Sequence, residues 1–373
     1  MSITIGTFNL NNLFSRFNFQ ASVDQTPSTD PGGITLTFDA GQFTARTFMG
    51  RLVRAKEPSD TIEIARRIRD VMNVDVLAVQ EVEHMEILKQ FNREHLQDLY
   101  PHMALVEGND PRLIDVGILS KLPIGTIVSH QTAVHPAEPQ TRVFGRDLLQ
   151  VEILDNRGDK LLNLYNTHLK SHFVPFGEDP IQGAIQANER RRRQAETIAR
   201  IISKMERPNS RFVLVGDMND PPDSEFLAPM LTIDNQPIVN ALEQPLETRS
   251  AKPETPGQGP GPQSRAWTHR FNPPGPALPQ YQLFDQIWVS AVLSDRLRGA
   301  HIDRRHNHGG DGSDHDPAWV EVAIWGCKPE PPKIPSAQIG PNQRACPQGQ
   351  LPRGNASPAA PRPEGPPVPT HLD

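Results

Sequence analysis

Short apolar runs that end on an acid, an amide or a histidine constrain this chain more than any other feature. Ser2–Phe8, Asp75–Gln80, Val116–Ser120, Leu148–Leu154, Leu161–Thr167, Arg211–Val215, Phe284–Val289 and Ala318–Ile324 all read as strands. Several alternate apolar and polar residues; others are continuous, as in a sheet buried on both faces. Asn9 and Asn11 follow the first run, Glu81 the second, His168 the run ending at Thr167, and Asp217 and Asn219 the run ending at Gly216. Asp285 opens Asp-Gln-Ile-Trp-Val289, and Asp314 and His315 precede the last run. A strand stops at a sheet edge, so the residue after it faces the cleft above the sheet. Core packing does not select Asp, Glu, Asn and His at so many strand ends. Hard oxygen donors with imidazole are the set for Mg²⁺ or Mn²⁺ acting on phosphate. Zinc fits less well, since there is neither an HExxH pattern nor a Cys cluster.

Helical spacing appears in two places. Ser59–Met72 carries Ile62, Ile64, Ala65, Ile68 and Val71, with Ser59 as the N-cap. Ala187–Met205 carries Ala195, Ile198, Ala199, Ile202 and Met205 on one stripe, with Arg190 to Arg193 opening the helix. Strands with interspersed helices and no clean βαβ alternation give an α+β sandwich, two packed sheets flanked by helices. Thr35–Phe38 and Gln42–Thr47 flank Asp39-Ala-Gly41 as a hairpin.

Composition divides the chain. Its 38 prolines in 373 residues are about twice the usual ~5%. They gather from Lys328 to Asp373 and between Glu243 and Gln280. The second cluster reads as a long surface loop with a short strand near Arg265–His269. The tail has too few large apolar side chains to offset its ordering entropy and is expected to be disordered. The expected division is therefore a catalytic domain over residues 1–325 and a Pro-rich tail over 326–373. Two cysteines, Cys327 and Cys346, rule out a disulfide framework; two free thiols and one tail disulfide both remain open. No apolar run approaches the roughly 20 residues of a membrane span. The N-terminus lacks a secretory signal, so the chain is expected to be cytoplasmic. The net charge of -6 means that bulk attraction does not hold it on nucleic acid, although a local basic patch can still bind phosphate.

The motifs themselves resemble a known family. Thr-Phe-Asn9-Leu-Asn11, Val-Gln-Glu81-Val-Glu, Asn-Thr-His168-Leu-Lys, Val-Gly-Asp217-Met-Asn219-Asp and Gly-Ser-Asp314-His315-Asp-Pro look like the endonuclease/exonuclease/phosphatase superfamily, in the same order. The resemblance spans residues 1 to about 325 and implies a four-layer α/β sandwich with two central mixed β-sheets flanked by helices. It implies Mg²⁺ or Mn²⁺ at Glu81, Asn11 and Asp314. His315 would contact the scissile phosphate or move a proton, with Asp285 orienting it. Asp217 would activate water, Asn219 and Asn9 would hold phosphate and neighbouring ligands, and His168 would be the second histidine of the DNase I-like and sphingomyelinase-like branches.

Around this set, Lys170 lies two residues after His168 on the same side and is expected to touch phosphate. Asp110-Pro-Arg112-Leu-Ile-Asp115 resembles a motif of bacterial members, which places Arg112 and Asp115 along the cleft. Arg142 and Arg146 flank the Leu148 run as backbone binders or surface ions, and Arg142 is taken as a phosphate-backbone contact. Arg304 and Arg305 are candidate substrate contacts; His306 and His308 read as solvated, and Trp267 as core. The resulting expectation is a nuclease acting on DNA ahead of RNA. The alternative is a phospholipid or small-molecule phosphodiesterase or phosphatase. A non-catalytic scaffold using the proline-rich tail predicts a broken site, and every expected catalytic side chain is present.

Overall fold

The computed structural model describes residues 1–14, 56–174, 177–243, 266–271, 280–304 and 312–324 in full. For 36–38, 41–43, 47–48, 51–52 and 246–249 it describes the backbone. The expectations for the tail after 325, Cys327, Cys346, Arg265, Arg305, His306, His308 and most of the 243–280 loop lie outside the described residues.

Every apolar run forms a strand. One sheet has seven strands: β1 (Ser2–Leu13), β2 (Val76–Val82), β3 (His102–Leu105), β4 (Asp115–Ser120), β10 (Leu246–Arg249), β12 (Leu297–Asp303) and β13 (Ala318–Ala323). Their order is β10-β12-β13-β1-β2-β4-β3. The other has six: β5 (Ile124–Ser129), β6 (Leu148–Leu154), β7 (Lys160–His168), β8 (Phe212–Asp217), β9 (Val239–Asn240) and β11 (Asp285–Val289), in the order β9-β11-β8-β7-β6-β5. Both sheets are mixed: β1 runs parallel to β2, and β7 to β8, among antiparallel neighbours. Residues 36–38 and 41–43 pair antiparallel, as the hairpin reading expected.

Three apolar layers fix four layers of structure. Ile3, Ile5, Val76 and Val116 of the first sheet pack against Val151, Leu164, Val213 and Ile287 of the second. On the outer side of the first sheet, Phe8, Leu77 and Trp319 pack with Ile64 and Ile68 of the helical segment after Pro58 and with Leu88 and Phe91 of a second helix. On the outer side of the second sheet, Tyr165, Leu214 and Trp288 pack on Ala195, Ile198 and Ile202. The helix–sheet–sheet–helix sandwich is thus the expected one. Two expectations about helix ends are corrected. Helix α1 (Pro58–Arg66) starts at Glu57 and Pro58 rather than on a Ser59 cap, then continues as a π-helical turn over Arg67–Met72. Helix α3 (Pro180–Met205) starts seven residues early, because Asp179 accepts Gln182 N–H at 2.8 Å and Pro180 presets the first turn. Arg190–Arg193 therefore lie mid-helix. Helix α2 (Met85–Glu94) had no sequence expectation. Among the described residues no helix is long and apolar enough to cross a membrane.

Candidate active site

The parallel pairs bring the strand-end residues to one rim. In the second sheet His168 lies opposite Asp217, and Asp217 opposite Asp285. Directly opposed residues share a face, so the three side chains form a row. In the first sheet Asn9 lies opposite Gln80, one residue before Glu81. Asn9 Nδ2 donates to Asp217 Oδ2 at 2.9 Å and so ties the two halves across the mouth of the sandwich. Ser313 Oγ donates to Asn9 O at 2.7 Å, anchoring the loop that carries Asp314 and His315.

His315 Nδ1 is 2.7 Å from Asp285 Oδ2, and its Nε2 is 3.8 Å from Asp217 Oδ2. His168 Nε2 approaches the same Asp217 oxygen at 3.4 Å. All four groups are buried. Their environments separate the two imidazoles. Burial penalises the charge on both. Asp285 and Asp217 outweigh that penalty at His315 and hold its proton well above the ordinary range. At His168 burial, then Arg146 and Arg112, prevail over the Asp217 oxygen 3.4 Å away and keep it neutral. Burial also raises the proton affinity of Asp217, against His315 and the donors Asn9 Nδ2 and Asn219 N, the last at 2.9 Å. Asn219 Nδ2 donates to Leu169 O at 3.2 Å.

Glu81 sits at a bulge, half-buried, with φ 60°. Its carboxyl is raised by burial first and then by repulsion from Asp314 and Asp217, only partly offset by His315 and Arg146. No hydrogen bond to its side chain is present among the described residues. Asn11 is also left-handed, φ 46°, and its N–H donates to Asn9 Oδ1 at 2.9 Å. Asp314 is exposed above them. Oxygen donors facing one another with uncompensated repulsion fit a hard divalent cation. Lys56 Nζ already leans on this place: it donates to Asn11 O at 2.7 Å and is drawn by Glu81 and Asp314. Two further groups bring three ligand atoms within 4.8 Å of one another, Asp217–Asp285–His315 and His269–Asp314–His315; Glu81 joins neither.

The surrounding residues divide by role. Arg112 forks onto Asp110 through Nε at 3.0 Å and Nη2 at 2.9 Å. Asp115 is buried and accepts Gly108 N–H at 2.7 Å, so it braces the Gly108–Arg112 loop from beneath instead of lining the cleft. Lys170 and Arg142 face a neighbouring recess. Trp267 is buried with the Arg304 guanidinium 4.4 Å above its ring, which makes Arg304 part of that packing. Sequence reasoning missed the weight of Arg146, which is buried and bonded to Leu169 O at 2.8 Å, and of Lys56. It also missed His269, bridged to His315 and stacked on Phe284 at 5.0 Å. These three come from loops or a short strand without a periodic signal.

Fold and site together define a hydrolase of phosphate esters on a two-sheet sandwich. The chain belongs to the Endonuclease/Exonuclease/phosphatase family, whose model matches residues 6–315. Among solved structures it is similar to beta toxin from Staphylococcus aureus, at 14% identity and TM-score 0.51 over 85% of this chain and 99% of that one. It is similar to an endonuclease/exonuclease/phosphatase from Bacteroides vulgatus, at 14% identity and TM-score 0.51 over 87% and 99%. A third is D. rerio TDP2 complexed with single strand DNA product, at 14% identity and TM-score 0.50 over 86% and 99%. No curated protein matches the chain in sequence.

Proposed function

We propose that this chain is a divalent-metal-dependent nuclease that hydrolyses phosphodiester bonds of DNA, with RNA as a secondary substrate, by in-line attack of water. One observation carries the reading: a buried Asp217 lies between a cationic and a neutral histidine, at one rim with the oxygen donors of Glu81, Asn11 and Asp314. Mg²⁺ or Mn²⁺ held by those three residues would neutralise charge on the scissile phosphate. The remaining work falls to the chain. Asp217, held by Asn9 and Asn219, takes the proton of the attacking water. His315, oriented by Asp285, presents a proton from Nε2 to the departing oxygen. Neutral His168 donates a hydrogen bond, and Arg146 and Arg112 place fixed positive charge beside the phosphate. Residues 1–325 constitute the catalytic unit in this reading, and 326–373 an appendage.

The test is incubation of the protein with plasmid and single-stranded DNA in Mg²⁺, Mn²⁺ and EDTA, beside Glu81→Ala. Metal-dependent cleavage that the variant loses by roughly 10²-fold or more is expected. No cleavage by the wild type, or equal rates for both proteins, would falsify the reading. Release of phosphate or phosphocholine from small esters, with DNA intact, would transfer it to the phospholipid or small-molecule class.

A further inference from the structure

Beside the catalytic residues, on the His168 side, lies a recess of about 250 Å³. Five cations line it, Arg112, Arg142, Arg146, Lys170 and Arg190, with a single carboxylate, Asp110. Asp110 is already committed: it accepts Arg112 N and Nε on Oδ1, and Arg112 Nη2 and Arg146 Nη1 on Oδ2, the last at 3.4 Å. Among the described residues, the other three cations are ion-paired with no acid. Arg142 Nη1 donates to the neutral amide oxygen of Asn109. Lys170 Nζ donates to the carbonyls of Ser171 and Phe173, at 2.9 and 2.8 Å. Arg190 is exposed and makes no side-chain hydrogen bond or ion pair among the described residues. Its helical neighbours differ: Arg191 is paired with Asp220, Arg192 with Glu189, and Arg193 with Glu138 and Glu189.

Like charges crowd here in a molecule whose net charge is -6. Burial, and then Arg146, Arg112, Arg191 and Arg190, push the Lys170 ammonium down to about 8. An anion relieves that crowding, and among the described residues only Asp110, already shared by Arg112 and Arg146, supplies one. The recess adjoins a larger one of about 460 Å³ that shares Arg142, Lys170 and Arg190 with it. Phe173, 56% exposed, lines both. Glu138, Glu178 and Glu189 also line the larger recess, so the cations that no described acid pairs gather at the first one, beside the catalytic residues, where one further phosphate of a strand can sit.

We propose that Arg142, Lys170 and Arg190 form a subsite for the phosphate that neighbours the scissile one along a nucleic acid strand. This rests on the nuclease reading above and assigns it a specificity determinant. Arg142 and Arg190 are both exposed, so replacing them with Gln leaves the packed layers intact.

The experiment compares wild type with the R142Q/R190Q variant on a single-stranded oligonucleotide and on bis(p-nitrophenyl) phosphate, which has one phosphate. The ratio of the two kcat/KM values is expected to fall tenfold or more, through KM for the oligonucleotide. The salt slope of oligonucleotide binding in EDTA is expected to drop by about 1. Equal loss on both substrates with an unaltered slope overturns the subsite. So does loss of binding to anionic phospholipid vesicles with the oligonucleotide ratio preserved, which would assign these cations to a membrane surface. If the wild type leaves oligonucleotides intact in Mg²⁺ and Mn²⁺, the nuclease reading itself fails; if it cleaves them and the ratio holds, only the subsite does.

Discussion

Glu81 combines a left-handed backbone, φ 60°, with a carboxyl that burial and two neighbouring acids disfavour. Both features cost stability, and residues held this way cluster where function over-determines them. A bound cation would offset the charge part. Glu81→Gln is therefore expected to raise the unfolding temperature of the metal-free protein while abolishing cleavage. Saturating Mg²⁺ should stabilise the wild type by about 2–3 kcal/mol at a hundred times its Kd, and the variant by much less. Calorimetry with and without metal checks both. An equal metal response in the two proteins would remove Glu81 from the ligand set. Asp115 gives a second residue-scale expectation. Burial raises its carboxyl to about 7, although Gly108 N–H favours the ionised form. From about pH 4 to 7 the folded protein thus holds a proton that the unfolded chain releases. Stability from this group is fully present below that window, falls as pH rises through it, and stays lost above 7. Asp115→Asn keeps an acceptor for Gly108 N–H and does not titrate. It should match the wild type near pH 4 and exceed it by roughly 2–4 kcal/mol at pH 8, as read by denaturant unfolding across pH.

At the level of elements, the row His168–Asp217–Asp285 depends on how closely β7 and β8 approach at their ends. Gly216 permits it. Its φ is 139°, and a Cβ there would lie 1.9 Å from Thr167 O. Gly216→Ala must push β8 off β7, and a loss of about 3 kcal/mol or more is expected. Because the shift separates His168 from Asp217, kcat should fall further than unfolding alone explains; stopped-flow unfolding and initial rates on the folded fraction distinguish the two. The strands that build this row were legible because their apolar runs are long and their ends chemically unusual. Ile124–Ser129 was not, since it is half-exposed at a sheet edge and carries no alternation. Helix α2 was hidden by its cap: His84 Nδ1 accepts Ile87 N–H at 3.2 Å, a place usually held by Ser, Thr, Asp or Asn. The first turns of α3 carry exposed Ile181 and Ile185, so the apolar stripe that marks its later turns is absent there, and only Asp179-Pro180 signalled the start. The acids and histidines of the site, His269 apart, were legible as strand ends. Arg146 was legible only as a backbone binder or a surface ion, and Lys56 not at all, because loops bring both in from positions with no period.

Across the whole molecule, each sheet supplies half of the site, so activity depends on the register of one sheet over the other. Apolar packing between the sheets sets their distance but is weakly directional. A buried polar link supplies direction. Asn166 Nδ2 donates to Val79 O at 3.0 Å and to Gly117 O at 2.8 Å, while its Oδ1 accepts Gln80 Nε2 at 2.8 Å. Thr7 Oγ1 donates to Gln80 Oε1 at 3.3 Å and extends the link to β1. Asn166 thus bonds from β7 to β2 and β4, two residues before His168 and against Gln80, the neighbour of Glu81. Asn166→Leu removes three buried hydrogen bonds and leaves the Gln80 amide without its acceptor in the interior, at about 1–3 kcal/mol for that group if it finds no water. A substitution that only unfolded the protein would leave the surviving fraction fully active. The link predicts otherwise: at temperatures where the variant remains folded, its kcat should be several-fold below the wild type, because Asn9 and Asp217 no longer meet at a fixed spacing. Full activity per folded molecule would show that packing alone sets the register and would confine Asn166 to stability.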